Sequence, residues 1–212
     1  MFILVRHGQS ESNAGLPTLH PETIELTELG RAQAGLTAVA LPRPSLIATS
    51  SYRRAQATAE PFQGRWPAVS TVVWPVHEFT FLDPAHWSGT TTSERRDAVN
   101  AYWERADPLY VDGPGCESLA QLFERAMDLR RLVGTVAEEP VVMFTHAMFI
   151  RAFAWAVTLG RRDITGDGMR KFREFSRAFS LPNCSILAAE TEARAGCQPV
   201  SVEHLPAQLL SE

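Results

Sequence analysis

Lysine is almost missing from this chain of 212 residues: Lys171 stands alone, and the other 19 basic residues are arginine. There is no excess of positive charge either, because the formal net charge is -4, which gives no reason to expect a general nucleic-acid binder. The three cysteines, Cys116, Cys184 and Cys197, are odd in number and lack metal-ligand spacing, so neither a disulfide framework nor a cysteine-held metal is expected. No apolar run is long enough to span a bilayer, and no charged leader precedes the first apolar stretch. These absences predict a soluble protein of a reducing, cytoplasmic compartment, with no membrane partner. The chain is long enough to bury a core without staples, and its 45% apolar and 21% charged residues are ordinary globular composition.

What is present begins at the first residue. Met1-Phe2-Ile3-Leu4-Val5 is a short apolar run of the kind that forms a buried strand, and it opens directly into Arg6-His7-Gly8-Gln9-Ser10-Glu11-Ser12-Asn13. In open α/β sheets ligands collect outside the carboxyl ends of the strands. An imidazole beside a guanidinium at such an end suits attack on a phosphate, or grip of one. Arginine fits that task, since its planar fork binds two oxygens and stays charged. Genome-wide bias accounts for most of the arginines, so only those at strand ends count toward function.

The rest of the chain alternates in period. Leu26 to Ala34 starts a helix with Thr27 as N-cap and Glu28 in its first turn, ended by Pro42 and Pro44. Leu46 to Ser50 is the next strand, and a helix from Tyr52 is expected to stop at Pro61. Val69 to Trp74 reads as a third strand. The segment of about 79–115 is rich in Trp, Asp, Pro, Thr and Gly, has one helical piece near Ser93–Arg105, and reads as a cap-like insertion over the site. Helical spacing follows at Leu119, Leu122, Ala126, Leu129 and Leu132. Pro140 to Phe144 is a second buried strand leading into Thr145-His146, Met148 to Leu159 a helix, and Met169 to Arg177 another. Ser185 to Ala189 and Val200 to His204 read as late strands. The alternation predicts one α/β domain over residues 1–212, a three-layer sandwich with a mainly parallel sheet and helices on both faces.

In a parallel sheet, Arg6 and His7, Arg54, Glu78 and His146 fall on one rim. The residues Arg6-His7-Gly8-Gln9-Ser10, Arg54-Ala55-Gln56-Ala57-Thr58-Ala59 and the late strand ending in His146 resemble the histidine phosphatase superfamily, which includes the cofactor-dependent phosphoglycerate mutases. The likeness extends to Leu26-Thr27-Glu28-Leu29-Gly30 with Gln33-Ala34, to Gly115-Cys116-Glu117-Ser118 and to Asn183-Cys184-Ser185-Ile186. The resemblance implies a phosphoglycerate mutase-like fold in which His7 attacks phosphorus and carries a phosphohistidine. Arg6, Arg54 and His146 would neutralise the phosphoryl oxygens, Asn13 would add a neutral donor, and the amides after His146, from Ala147 on, would join the anion site. Glu78 is the best candidate for general acid, with Glu11 and Asp83 the other acids that could serve.

Two departures stand out: Ala147 occupies the family's usual glycine position after the second histidine, and Ser50-Ser51-Tyr52 replaces the commoner Ser-Pro-Leu. Neither removes a catalytic group. Two histidines and a carboxylate can also form a metal triad, but Arg6 and Arg54 would oppose a divalent ion, so no metal or other cofactor is expected.

The resulting expectation is a metal-independent phosphatase acting on a small phosphomonoester. A phosphoglycerate mutase is the alternative, disfavoured because the insertion does not resemble that enzyme's lysine-bearing segment. A non-catalytic phospholigand-binding protein is the second, disfavoured because none of His7, the arginines or the acid is lost. His20, His77, His86 and His204 read as structural, Trp87, Trp103 and Tyr110 as packing residues, and Arg95 and Arg96 as parts of a solvated helix face, from which one could reach a second anionic group. The aromatic content of the insertion favours a substrate with an apolar or ring portion.

Overall fold

A computed structural model describes residues 1–159, 165–189 and 200–212. Cys197 lies outside the described residues. Five strands form a single sheet: β1 (Phe2–Arg6), β2 (Leu46–Thr49), β3 (Thr71–Val73), β4 (Val141–Thr145) and β5 (Ile186–Ala189). Their order is β3-β2-β4-β1-β5, with β1 to β4 parallel and β5 antiparallel at the edge.

The side-chain period of two sorts the strands onto two cores. Phe2, Leu4, Val141 and Met143 face one side, while Ile3, Val5, Val142 and Phe144 face the other. The second face is covered by α1 (Glu28–Ala40) and α2 (Arg53–Arg65), which contribute Ala38, Ala59 and Phe62. The first is covered by α4 (Leu119–Gly134) and α5 (Ala147–Leu159), with α3 (Arg96–Arg105) and α6 (Gly166–Ala178) packed against them. Phe2 and Phe153 meet edge to face at 5.4 Å, and truncating such a ring costs about 3–5 kcal/mol. The predicted three-layer α/β arrangement is what forms.

The helix starts follow capping chemistry. Thr27 accepts the Gly30 amide, Thr165 accepts that of Gly168, and Ser118 and Gln121 exchange hydrogen bonds in a capping box. Two expectations fail. Helix α2 runs through Pro61 to Arg65, because Ala55, Ala59 and Phe62 are wholly buried on the sheet and offset the roughly 3 kcal/mol that an internal proline costs. Val200 to His204 forms no strand: only Ser201 bridges to Ile186, and the Leu205 amide then bonds back to Val202 and turns the chain away. Among the described residues, no helix is long and apolar enough to cross a membrane.

Candidate active site

The site grows out of strand register. Arg6 is paired with Thr145, so the residues that follow, His7 and His146, leave adjacent strands side by side, their ring centroids 5.1 Å apart. The His7 amide donates to the Thr145 carbonyl at 3.0 Å, and the Ser50 amide to that of Phe144, also at 3.0 Å. The strands β1, β2, β3 and β4 are parallel, so their carboxyl ends converge on this rim, while antiparallel β5 enters the sheet there, just after Asn183.

His7 is 4% exposed. Its Nδ1 lies 2.7 Å from the Gly8 carbonyl oxygen, and a carbonyl can only accept, so Nδ1 carries the hydrogen. That leaves the lone pair on Nε2, which receives a hydrogen bond from Arg54 Nε at 3.1 Å. Burial, then the charges of Arg54 and Arg6, hold the imidazole well below its ordinary value of 6.5, so the ring is neutral at physiological pH. Burial and Arg54 do the same to His146, which is fully buried, with His7, His77 and Arg125 adding to the effect.

Both arginines are anchored through one end of the guanidinium. Arg54 Nη1 donates to the Pro21 carbonyl at 2.5 Å, and Arg6 Nη1 donates to that of Leu181. Arg6 Nε is buried without a hydrogen-bond partner among the described residues. Burial lowers Arg6 to about 10 against an upward pull from Glu78, so the group stays charged at neutral pH.

Glu78 is half-buried, and its Oε1 accepts the amides of Phe79 at 2.9 Å and Met148 at 3.1 Å. The start of α5 is therefore already occupied by the Glu78 carboxyl group. The Met148 amide, which the sequence reading reserves with Ala147 for phosphate, is taken by the acid instead, while Ala147 itself is 7% exposed. The loop before Glu78 is held by Arg125, which forks onto Glu117 at 2.9 and 2.5 Å and donates to the carbonyls of Pro75 and His77.

A phosphoryl-sized anion placed among His7, His146, Arg6 and Arg54 would meet a neutral nucleophilic nitrogen and two fixed cations, with an acid at the edge. Comparison with known proteins agrees with that geometry. The family model described as histidine phosphatase superfamily (branch 1) matches residues 2–196. The chain belongs to the histidine phosphatase superfamily.

Within that superfamily, the chain is 32% identical over 170 residues to a glucosyl-3-phosphoglycerate phosphatase of Mycobacterium tuberculosis, covering 74% of each protein. The solved structure of a mycobacterial glucosyl-3-phosphoglycerate phosphatase in complex with VO3 is 25% identical, covering 95% of this chain and 97% of that one, with a TM-score of 0.67. The phosphoserine phosphatase of Entamoeba histolytica, solved with 3-phosphoglyceric acid, shares the fold at a TM-score of 0.74, with 22% identity and coverage of 97% and 98%.

In this histidine phosphatase the turn after β1 is fixed by backbone packing. A Cβ on Gly8 would lie 2.5 Å from the Gly30 carbonyl oxygen, and one on Gly30 would lie 2.0 Å from that of Gln9. This contact explains the glycine that closes the Leu-Thr-Glu-Leu-Gly run at the start of α1. The Gly8 amide donates to Thr58 Oγ1 and the Gln9 amide to Gln33 Oε1, so both helices of this face grip the turn.

Asn13 turns its carboxamide oxygen to Ser10 and to Asn183, which leaves its nitrogen as the end able to donate to a ligand. Buried Asn183 also donates to the His7 carbonyl at 3.1 Å. Sequence reasoning noted Asn183 only as part of a motif and missed the roles of Thr58, Gln33 and Arg125. The spacing of Thr58 one helical turn after Arg54 was the available signal.

A cavity of about 340 Å³ opens beside Glu78 and Met148. Its walls include Phe79, Phe81, Trp87 and Ile24, with Arg95 as the one lysine or arginine among its lining residues. Trp87 lines the cavity, and Arg95 sits half-buried at the N-cap of α3 and not on a solvated face. Arg96 remains exposed, and Trp103 packs in the core, as read from sequence.

Proposed function

We propose that this phosphatase hydrolyses a small phosphomonoester without a metal, through a phosphohistidine on His7. The observation that carries the reading is the His7 ring, neutral, with its hydrogen fixed on Nδ1 by Gly8, its Nε2 lone pair on Arg54 and the charge of Arg6 acting on the ring.

An arriving phosphate draws the Arg54 guanidinium onto its oxygens, which frees the Nε2 lone pair. Nε2 then attacks phosphorus in line, and the ester P–O bond breaks as the N–P bond forms. Arg6, Arg54, His146 and Asn13 hold the equatorial oxygens. Glu78 is the general acid, passing a hydrogen from Oε2 to the leaving alkoxide while Oε1 keeps the amides of Phe79 and Met148. The resulting carboxylate takes a hydrogen from water as that water attacks phosphorus, breaking the N–P bond and restoring His7. The work of these steps is done by side chains already in place, which supports metal-independent turnover.

The alcohol half of the ester fits the cavity beside Glu78. Aromatic walls and a single guanidinium suit a leaving group with a ring body and one further acid, the combination found in glucosyl-3-phosphoglycerate. A single cation also supports hydrolysis over mutase chemistry, in which a second phosphate must be held while the first is transferred. Wild type and His7→Ala are to be compared on glucosyl-3-phosphoglycerate, 3-phosphoglycerate, phosphoserine and phenyl phosphate with chelator present. Expected is phosphate release by wild type that survives chelation and vanishes in the variant. Release that persists in His7→Ala, or that stops on chelation, overturns the mechanism.

A further inference from the structure

We propose that Ser50 is a positioning residue that fixes His146 in the tautomer protonated on Nδ1, so that this ring offers Nδ1–H to the transferring phosphoryl group. Both residues are completely buried, and Ser50 Oγ lies 2.8 Å from His146 Nε2. The distance alone is symmetric, since either atom can be the donor.

The amide of Tyr52 breaks the symmetry by donating to Ser50 Oγ at 3.1 Å. A hydroxyl has one hydrogen and two lone pairs. With one lone pair given to Tyr52, the hydrogen still needs an acceptor, and His146 Nε2 is the acceptor present among the described partners of Ser50. A buried hydroxyl that withholds its hydrogen forfeits a bond it could make in water. Nε2 is therefore the unprotonated nitrogen.

A neutral imidazole has one N–H, so it is on Nδ1. That atom is buried and has no hydrogen-bond partner among the described residues. An N–H in that position is a donor awaiting an oxygen, as is Arg6 Nε. The opposite tautomer would leave the serine hydrogen stranded and a bare lone pair on Nδ1, which repels phosphate oxygens.

The placement of Ser50 is topological. Its amide bonds to the Phe144 carbonyl, continuing the β2–β4 register past the last paired residues and bringing the hydroxyl level with the His146 ring. The catalytic consequence rests on the phosphoryl-transfer reading above, whereas the tautomer itself does not.

The test is a two-bond proton–nitrogen correlation spectrum of the 15N-labelled protein, with His146 assigned through His146→Gln. Expected is the Nδ1–H pattern in wild type and in Ser50→Thr, and a shift toward Nε2–H in Ser50→Ala. Titration with inorganic phosphate should move the Nδ1 resonance, and affinity should weaken about tenfold or more in Ser50→Ala. In steady state, kcat should fall about ten- to a hundredfold in Ser50→Ala with a smaller change in KM, and Ser50→Thr should restore it.

An Nε2–H pattern in wild type overturns the proposal, and that measurement does not depend on any Ser50 variant folding. An unchanged Nδ1–H pattern in Ser50→Ala overturns the role of the hydroxyl. If the tautomer follows Ser50 but no phosphomonoester is turned over, the assignment of the proton stands and the phosphatase mechanism falls.

Discussion

At the strand ends, Arg6, His7, Arg54 and His146 are between 0% and 6% exposed, and each is tied to a backbone atom or to another buried side chain. Over the adjoining cavity the chain is more exposed: Leu19 is 72% exposed, Arg95 is half-buried, and the segment around Trp87 is joined to the loop near Asn13 by hydrogen bonds of Gly89, Thr90 and Arg95 to Thr18 and of Thr92 to Ser12. The first region must hold reacting atoms within fractions of an ångström, and sheet register supplies that. On the proposed function, the second takes the alcohol of the ester, and the attacking nitrogen belongs to the first. Chemistry and recognition, on that reading, meet at Glu78, which lines the cavity and accepts the Met148 amide beside the strand ends.

The comparison breaks first at Arg54. Arg54→Gln should lower kcat about 10²–10³-fold on every ester alike, because the lost cation serves the phosphoryl group and not the alcohol. A loss confined to one substrate would show that Arg54 belongs to recognition. Next comes Gly30→Ala, whose methyl cannot occupy a place 2.0 Å from the Gln9 carbonyl oxygen. It should displace the nucleophile turn, cost about 1–3 kcal/mol in thermal unfolding and reduce kcat with all substrates. An unaltered melting curve and rate would mean that the turn has slack.

Arg95→Gln sharpens the distinction. It should raise KM about tenfold for esters that carry a second acid and leave phenyl phosphate unaffected. Equal effects on both would remove Arg95 from the cavity's role.

The smallest effect is on stability. His7 and His146 are held below 6.5, and His77 is pushed down to about 4 by burial and by Arg125, so below pH 6.5 the unfolded chain binds protons that the folded one refuses. Stability should therefore fall progressively as pH drops from about 7 toward 4, read as a declining midpoint in urea. A midpoint that rises over that range would contradict neutral histidines.

The rim was legible because a short apolar strand ending in Arg-His-Gly, and another ending in Thr-His, have few alternative readings. Its supports were harder to see. Ser50 contacts His146 across 96 positions of sequence, and Asn183 reaches His7 across 176; no local pattern marks such a pair. The same reason hid the link between Glu78 and Met148, which joins a loop to the first turn of a distant helix. The helix continuing past Pro61 misled in the opposite way, since local propensity was clear and tertiary burial overrode it. In the covering segment, composition announced aromatic content but not which ring would line a cavity. Trp87 and Trp103 look alike in sequence, and only packing sends one to the cavity and the other into the core.

The three successive amides of the nucleophile turn have a last consequence. Those of His7, Gly8 and Gln9 all end on protein acceptors, Thr145, Thr58 and Gln33. None of them is left to cradle an anion in the manner of a glycine-rich nucleotide loop. At this turn the donors left for an anion are side chains, each encoded by its own codon. A backbone cradle is inherited whole, whereas this one can be adjusted one donor at a time, so its preference among tetrahedral anions is open to stepwise selection while the turn beneath it stays unchanged.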